Sequence, residues 1–313
     1  MTASLAPTQI RAGLAGFLCE VSSEPVAFAD CLSCALSANN PGCPLTASII
    51  ERIIAGIRPP DLAATLAAER GAEVGFSVTE LLHCPRRLRL EKENAWYEKP
   101  GGLYRMTRGT AVHDYLCGYP QGLKEIRLAW TFKFLGQTIT LSGQPDLVEM
   151  RRDGLFITDY KMTDNPPREK STWFCSGCGA PTTMRSKGGF LCPNCGRISR
   201  NAAYRTVTDA QARSSHARQL NLYCLLIEKN AGQVAAALGA VGELPILGGE
   251  IVYLPPTLPL RCAVPYEREQ TLSFLKERLR ALLAPTLPPI LAEDDEGKWE
   301  CGYCPLAETC ASE

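Results

Sequence analysis

A chain of 313 residues, 45% hydrophobic and 21% charged, carries enough apolar material for one large domain with appendages or for two ordinary domains, which excludes extended disorder. Its 33 basic and 33 acidic residues cancel, so a nucleic-acid partner requires a local basic patch and not a global field. No stretch approaches the roughly 18 to 20 consecutive apolar residues of a membrane helix. The first 18 residues, with Arg11 as their single charge, also lack the order of a secretory leader, so the expectation is a soluble, cytoplasmic protein with no membrane partner.

Residues 1 to about 75 are rich in Ala and Pro and hold Cys19, Cys31, Cys34 and Cys43. Ile49, Ile50, Ile53, Ile54 and Ile57 follow at helical spacing and predict a helix packed into a core. Arg58-Pro59-Pro60 stops it, since proline cannot continue a helix and biases its predecessor toward extended backbone. An Ala-rich helix to about Glu69 comes next, and Gly71 to Gly75 reads as a joint. This divides a cysteine-bearing helical module, 1–75, from a second domain, 76–313.

Ser77-Val78-Thr79-Glu80 has the capping-box pattern ahead of Leu81 and Leu82, so a helix starts there and Cys84-Pro85 interrupts it, before Arg86, Arg87 and Arg89. A second helix is expected over Gly109 to Leu116. From Leu128 to Lys161 the apolar period is two, which predicts three or four antiparallel strands with Asp153-Gly154 as a hairpin turn. A cysteine-bearing insertion occupies about 168–205, helices are expected over Ala210 to Lys229 and Tyr266 to Ala284, and an acidic run, Glu293 to Glu296, precedes three last cysteines. There is no internal repeat and no Walker-type phosphate loop, which argues against an NTP-driven motor.

The hairpin carries the strongest chemistry. With Asp153 and Gly154 as the central turn pair, residue 146 faces 161 and 148 faces 159, which puts Asp146, Asp159 and Lys161 on one face with Asp146 and Asp159 diagonal. Two carboxylates at that spacing can close on magnesium or manganese, which keep waters and leave room for a phosphate, while the lysine orients the attacking water or offsets developing charge. The competing reading is a set of solvated strand charges, and a register slip would break the convergence. His113, on the first turns of the expected 109–116 helix, could complete the metal shell, and Gln219 and Tyr223, four apart on one helical face, could reach a substrate phosphate or base.

Fifteen cysteines in an intracellular chain point to metal and not to disulfides. Cys175, Cys178, Cys192 and Cys195 form two C-x-x-C knuckles, each followed by Gly, a zinc-ribbon signal. Around them Arg168, Lys170, Arg185, Lys187, Arg197, Arg200 and Arg205 stand against Glu169, a basic surface suited to phosphate or to a solvated rim. Cys31, Cys34 and Cys43, with Cys19, could make another zinc site. Cys117, Cys224 and Cys262 read as buried small hydrophobes. Cys84 lies far before Cys301, Cys304 and Cys310, and spacing alone allows these four thiolates to hold either zinc or iron.

The ordered series Ser77 to Arg87, Gly109 to His113, Gly143-Gln144-Pro145-Asp146, Asp159-Tyr160-Lys161, Gln219 to Tyr223 and the terminal cysteines resembles the RecB-like nucleases of the PD-(D/E)XK superfamily, and most nearly the CRISPR-associated RecB-like exonucleases (Cas-four). The resemblance covers about 76–313. It implies an α/β fold, a restriction-endonuclease-like mixed sheet flanked by helices, with the zinc ribbon as an insertion. It also implies that Cys84, Cys301, Cys304 and Cys310 hold a 4Fe-4S cluster as a C-terminal clasp. By position, His113, Asp146 and Asp159 would bind Mg or Mn, with the Tyr160 carbonyl as a further ligand. Lys161 would serve the nucleophilic water, and Gln219 with Tyr223 would form the Gln-x-x-x-Tyr motif. Two departures stand out: Asp159 occupies a position that is usually Glu, and the spacing from Lys161 to Gln219 is stretched by the insertion.

The expected activity is metal-dependent hydrolysis of DNA, exonucleolytic on single strands, with Arg86, Arg87, Arg185, Lys187, Arg197 and Arg200 as DNA contacts and a CRISPR integrase complex as a partner. The alternative from another class is an inert DNA-binding or scaffold protein that uses its zinc and iron-sulfur modules for recognition. A third reading is a zinc-bound partner protein with no role on DNA.

Overall fold

The computed structural model describes residues 13–37, 42–57, 62–116, 122–151, 154–168, 170–184, 190–196, 198–199, 203–208, 210–240, 242, 244–292 and 297–312. Among these, no helix is long and apolar enough to cross a membrane. The first elements are β1 (Leu14–Leu18), its antiparallel partner β2 (Pro25–Val26), and helices α1 (Phe28–Leu36), α2 (Ala47–Gly56) and α3 (Leu62–Glu69). The isoleucine stripe is α2, and its Ile50 and Ile53 are each 1% exposed. Strand β3 (Val74–Ser77) occupies the end of the segment read as a joint.

Ser77 then caps α4 (Val78–Leu82): Glu80 N donates to Ser77 Oγ at 3.2 Å and Ser77 N donates to Glu80 Oε2 at 2.6 Å, the reciprocal capping box. Pro85 opens a separate helix, α5 (Pro85–Glu93), because a missing N–H is harmless at a helix start. After β4 (Trp96–Glu98), α6 (Pro100–Leu116) starts well before the expected Gly109. Its cap is remote in sequence, which hid it: Gly101 N donates to Glu20 Oε1 at 2.6 Å.

Strands β5 (Leu123–Lys124), β6 (Leu128–Phe134), β7 (Gln137–Gly143), β8 (Leu147–Arg151) and β9 (Gly154–Met162) follow. Leu135 and Gly136 turn β6 into β7 with φ of 49° and 82°, the positive pair a two-residue hairpin requires. The insertion contributes β10 (Lys170–Cys175), β11 (Pro181–Met184), β12 (Phe190–Leu191), β13 (Ile198–Ser199) and β14 (Ala203–Thr208). Beyond it come α7 (Ser214–Lys229), α8 (Ala231–Ala237), β15 (Ile246–Leu254), β16 (Leu260–Val264), α9 (Arg268–Leu283), a 3-10 helix (Lys298–Tyr303) and α10 (Ala307–Ser312).

The architecture is mixed α/β, with sheets ordered β2-β1-β4, β3-β7-β6, β16-β15-β9-β8-β5 and, in the insertion, β13-β12-β11-β10-β14. Of the three or four strands expected between residues 128 and 161, four are present, but they divide between two sheets at Gln144-Pro145-Asp146, where Pro145 has no N–H to continue a ladder. Helix α7 joins the two sheets, touching β15 and β9 of one and β6 and β7 of the other. Every residue from Gln219 to Ile227 is buried, as an all-round apolar helix requires. Gly143 marks the closest approach: a Cβ there would stand 2.8 Å from Leu226 Cδ1, 2.9 Å from Tyr223 Cε1 and 2.9 Å from Val78 Cγ2.

A second core joins Leu14, Phe17, Phe28, Leu45, Ile50 and Ile53 to Leu90, Trp96 and Leu306. The N-terminal elements therefore bury their apolar faces against α5, β4 and the C-terminal segment, and β1 pairs in parallel with β4. Truncating Leu222, which has no solvent exposure in the α7 core, to alanine removes buried methyl groups from a site held on all sides. Leu222→Ala is expected to lower unfolding free energy by about 2–5 kcal/mol, read as a lower urea midpoint at an unchanged slope.

Candidate active site and metal centres

The β8–β9 ladder runs Leu147↔Thr158, Val148↔Ile157, Glu149↔Phe156, Met150↔Leu155 and Arg151↔Gly154. Gly154 is thus a strand residue, and the connection is residues 152 and 153, which lie outside the described residues. The register differs by two from the expected one. Asp146, just before Leu147, aligns with Asp159 and not with Lys161. An even shift keeps each side chain on its face, so the convergence persists.

Asp159 has no solvent exposure, and Lys161 Nζ lies 2.6 Å from its Oδ2. Asp146 Oδ2 accepts the N–H of Tyr160 at 2.7 Å, which fastens the loop before β8 onto β9 beside Asp159. Strand β9 is held on both sides, antiparallel to β8 and parallel to β15, with Asp159 beside Ile251 and Lys161 beside Tyr253.

Helix α7 delivers the next groups. Gln219 Nε2 donates to Tyr223 Oη at 3.0 Å, both side chains buried. Burial pushes the Tyr223 hydroxyl far above the ordinary phenol range, with the charge of Asp159 and, more weakly, of Asp146 acting the same way. Tyr223 therefore shares its surroundings with both carboxylates, and Thr79 of α4 bonds to it as well. These contacts gather Asp146, Asp159, Lys161, Gln219 and Tyr223 in one neighbourhood.

Two residues had no sequence reading. His216 lies one turn before Gln219, and its Nδ1 is 3.0 Å from Tyr253 Oη, which also accepts the N–H of Arg213 at 2.8 Å. The Tyr253 hydroxyl thus bridges the Arg213 backbone and the imidazole. Burial first, then Lys161 and Arg213, hold His216 down at about 4. The spacing of 216, 219 and 223 could have flagged His216 on the helix face, whereas Tyr253 depends on the β9–β15 pairing across a long crossover.

His113 belongs to the last turn of α6, not to the first turns of a short helix, and its side chain lies outside the described residues. Arg86 is buried, and Arg87 is half-buried. Arg86 is 6% exposed and donates to Pro288 O at 2.9 Å, Cys310 O at 3.1 Å and Cys310 Sγ at 3.2 Å, so it ties α5 to the C-terminal segment. Arg87 donates to Glu91 Oε1 at 2.8 Å. Of the insertion's basic residues, Arg185, Lys187, Arg197 and Arg200 lie outside the described residues, and Arg168 is exposed.

The ribbon cysteines meet at one point. Cys175 Sγ is 3.6 Å from Cys195 Sγ, Cys178 Sγ is 3.5 Å from Cys192 Sγ, and all four lie within 4.8 Å of one another. Gly179 and Gly196 adopt φ of 70° and 66° and return their N–H groups to Cys175 O and Cys192 O, each at 2.9 Å. Backbone N–H donors favour thiolate, first that of Ala180, and hold Cys178 down at about 6. This set could hold a metal ion.

Cys84 is the N-cap of α5, while Cys301 and Cys304 frame the end of the 3-10 helix and Cys310 sits on α10. Burial raises the Cys304 thiol, and the charges of Cys84 and Cys310 raise it further while Arg87 opposes them, which places three of these cysteines together. They are not gathered as tightly as the ribbon set, the one group of three or more candidate ligands within 4.8 Å among the described residues. Cys19, Cys31, Cys34 and Cys43 line one cavity of about 260 Å³. Cys224 and Cys262 are core fillers at 0% and 1% exposure, and Cys117 lies outside the described residues.

No protein-family model and no curated protein matches the chain. Among solved structures, the crystal structure of SSO0001 is similar at 17% sequence identity and a TM-score of 0.42, over 76% of this chain and 85% of that one.

A histidine held neutral in the fold binds fewer protons than the unfolded chain between its folded value of about 4 and its ordinary 6.5. Its contribution is complete above pH 6.5 and is lost as pH falls toward 4, by up to about 3 kcal/mol. His216→Gln should flatten that part of the stability profile, measured by urea unfolding at stepped pH.

Proposed function

We propose that the chain is a metal-dependent DNA nuclease of the RecB-like, PD-(D/E)XK kind, with a restriction-endonuclease-like core that hydrolyses phosphodiester bonds in single strands exonucleolytically. The observation that carries this reading is the buried Asp159 with Lys161 Nζ at 2.6 Å, flanked by Asp146 on the neighbouring loop and by the Gln219–Tyr223 pair. That is the composition phosphoryl hydrolysis needs: hard oxygen donors, one mobile ammonium and buried groups that fix direction.

The donor set fits magnesium or manganese, since Asp146 and Asp159 offer carboxylate oxygens on adjoining segments and the Tyr160 carbonyl lies between the two motif residues of β9. Such an ion would supply Lewis acidity at the phosphate and a water acidified toward hydroxide. The protein's own groups do the rest. The β9 pairings hold the carboxylates at fixed positions, and the Lys161 ammonium donates a hydrogen bond toward the attacking water or the phosphate oxygens. Burial and the charges of Asp159 and Asp146 keep the Tyr223 phenol protonated at the inner wall, while the hydrogen bond from Gln219 fixes its position.

The two cysteine centres divide by spacing. Four sulfurs on one zinc at about 2.3 Å stand about 3.8 Å apart, close to the 3.5 and 3.6 Å of the ribbon, so the ribbon reading is zinc. For Cys84, Cys301, Cys304 and Cys310 the reading is a 4Fe-4S cluster: the wider set suits a polynuclear centre, and the Arg86 N–H aimed at Cys310 Sγ is the kind of donor that tunes one. With these centres the reading extends to DNA trimming in CRISPR spacer acquisition beside an integrase complex, in the cytoplasm.

Labelled single-stranded DNA incubated with Mn should be cleaved by the full chain and, at least about 10²-fold more slowly, by Asp159→Asn and Lys161→Ala. Undiminished cleavage in both variants refutes the site, and DNA binding without cleavage by the wild-type chain favours an inert scaffold. Metal analysis should find about one zinc per chain, lost in Cys178→Ser while the far-ultraviolet dichroism of the core is kept.

A further inference from the structure

The N-terminal cysteines come from three places in the fold. Cys19 follows β1, Cys31 and Cys34 lie three apart on α1, and Cys43 lies in the connection before α2. All four cysteines line the same cavity of about 260 Å³. Its remaining wall is mostly apolar, with Val26, Leu45, Ile50 and Pro100. Among the described residues, Glu20 is the one carboxylate on that wall, already engaged with Gly101 N at 2.6 Å, and no basic side chain lines the cavity.

These cysteines do not behave as core fillers. Cys224 and Cys262, which do, have 0% and 1% exposure, whereas Cys34 is exposed and Cys19, Cys31 and Cys43 are half-buried. Nor do they have the spacing of a single ion. The ribbon shows how this chain presents four thiols to one metal, all within 4.8 Å, and no three of the N-terminal cysteines meet that distance. A polynuclear cluster sets its own iron and sulfide between the ligands, so it needs thiols that face a shared volume at wider separation.

We propose that Cys19, Cys31, Cys34 and Cys43 ligate a second iron–sulfur cluster, a [4Fe–4S] centre in the N-terminal module, where the C-x-x-C spacing alone had suggested zinc. The cavity supplies the volume, the four thiols supply the ligands, and the apolar wall shields the sulfide bridges from water. Assembly from two ferrous and two ferric ions with four sulfides gives a [4Fe–4S]2+ core with no change of oxidation state, releases one proton from each thiol to solvent and leaves four thiolate–iron bonds. Cys31 and Cys43 pack on the same core as Cys304 and Cys310, so the two cysteine sets border one apolar layer. The proposal concerns a different centre from the carboxylate site and stands independently of the nuclease reading.

The test is a metal count on the full chain, purified anaerobically and reconstituted with equal amounts of ferrous and ferric iron and with sulfide. About eight iron, eight acid-labile sulfide and one zinc per chain are expected, with a broad band near 400 nm. Cys34→Ser, at an exposed position, and the double variant Cys31→Ser/Cys34→Ser should each lose about half the iron and half that band while keeping zinc and the dichroism spectrum. Cys301→Ser/Cys304→Ser should remove the other half. Wild-type protein with two zinc per chain, or iron unchanged by both N-terminal variants, overturns the proposal. Iron lost in the N-terminal variants but untouched by Cys301→Ser/Cys304→Ser upholds it and removes the C-terminal clasp instead.

Discussion

A carboxylate shut away from water is the constraint around which the central sheet is arranged. Asp159 has no solvent exposure in the strand that pairs on both sides, and a charge in that position must meet compensating groups or neutralise. Lys161 answers part of that need from two residues along the same strand. The opposite face of the same sheet, on the neighbouring strand β15, handles a buried acid quite differently. There Glu250 receives Arg261 at 2.7 and 3.0 Å and Arg151 at 3.3 Å, a saturated arrangement with two guanidinium groups on one carboxylate. The contrast separates a structural acid from one set among an amine, a phenol and a second carboxylate.

Helix α7 gives that constraint its geometry. It is buried all round because it lies between two sheets, and its side chains are consequently placed by packing on every side. The tightness is visible at Gly143, where any side chain would strike Leu226, Tyr223 and Val78 together. The glycine that ends β7 and the tyrosine beside the carboxylates are thus one packing unit, which links the sequence run Gly143 to Asp146 to the helix seventy residues later.

Much of this was legible where the signal is local. The Ser77–Glu80 capping box, the isoleucine stripe and the paired Cys-x-x-C-Gly knuckles depend on residues a few positions apart, and the structure contains each of them. The face shared by Asp146, Asp159 and Lys161 was also legible despite a wrong turn, since parity survives a two-residue shift. What failed depended on distant partners. The start of α6 is set by Glu20, and the fate of Arg86 by carbonyls more than two hundred residues away in sequence. The pairing of Tyr253 with His216 required knowing that β15 lies beside β9. Arg86, expected as a DNA contact, is an internal strut between α5 and the C-terminal segment.

The position of the ribbon in the chain has a mechanical consequence. Its stem is the β10–β14 pair, with Lys170 beside Thr208 and Cys175 beside Ala203. One leg follows directly on the strand bearing Asp159 and Lys161, and the other leads into the helix bearing His216, Gln219 and Tyr223. The ribbon is thus joined through its two legs to the strand and to the helix that carry the candidate site, so a displacement of its stem bears on both.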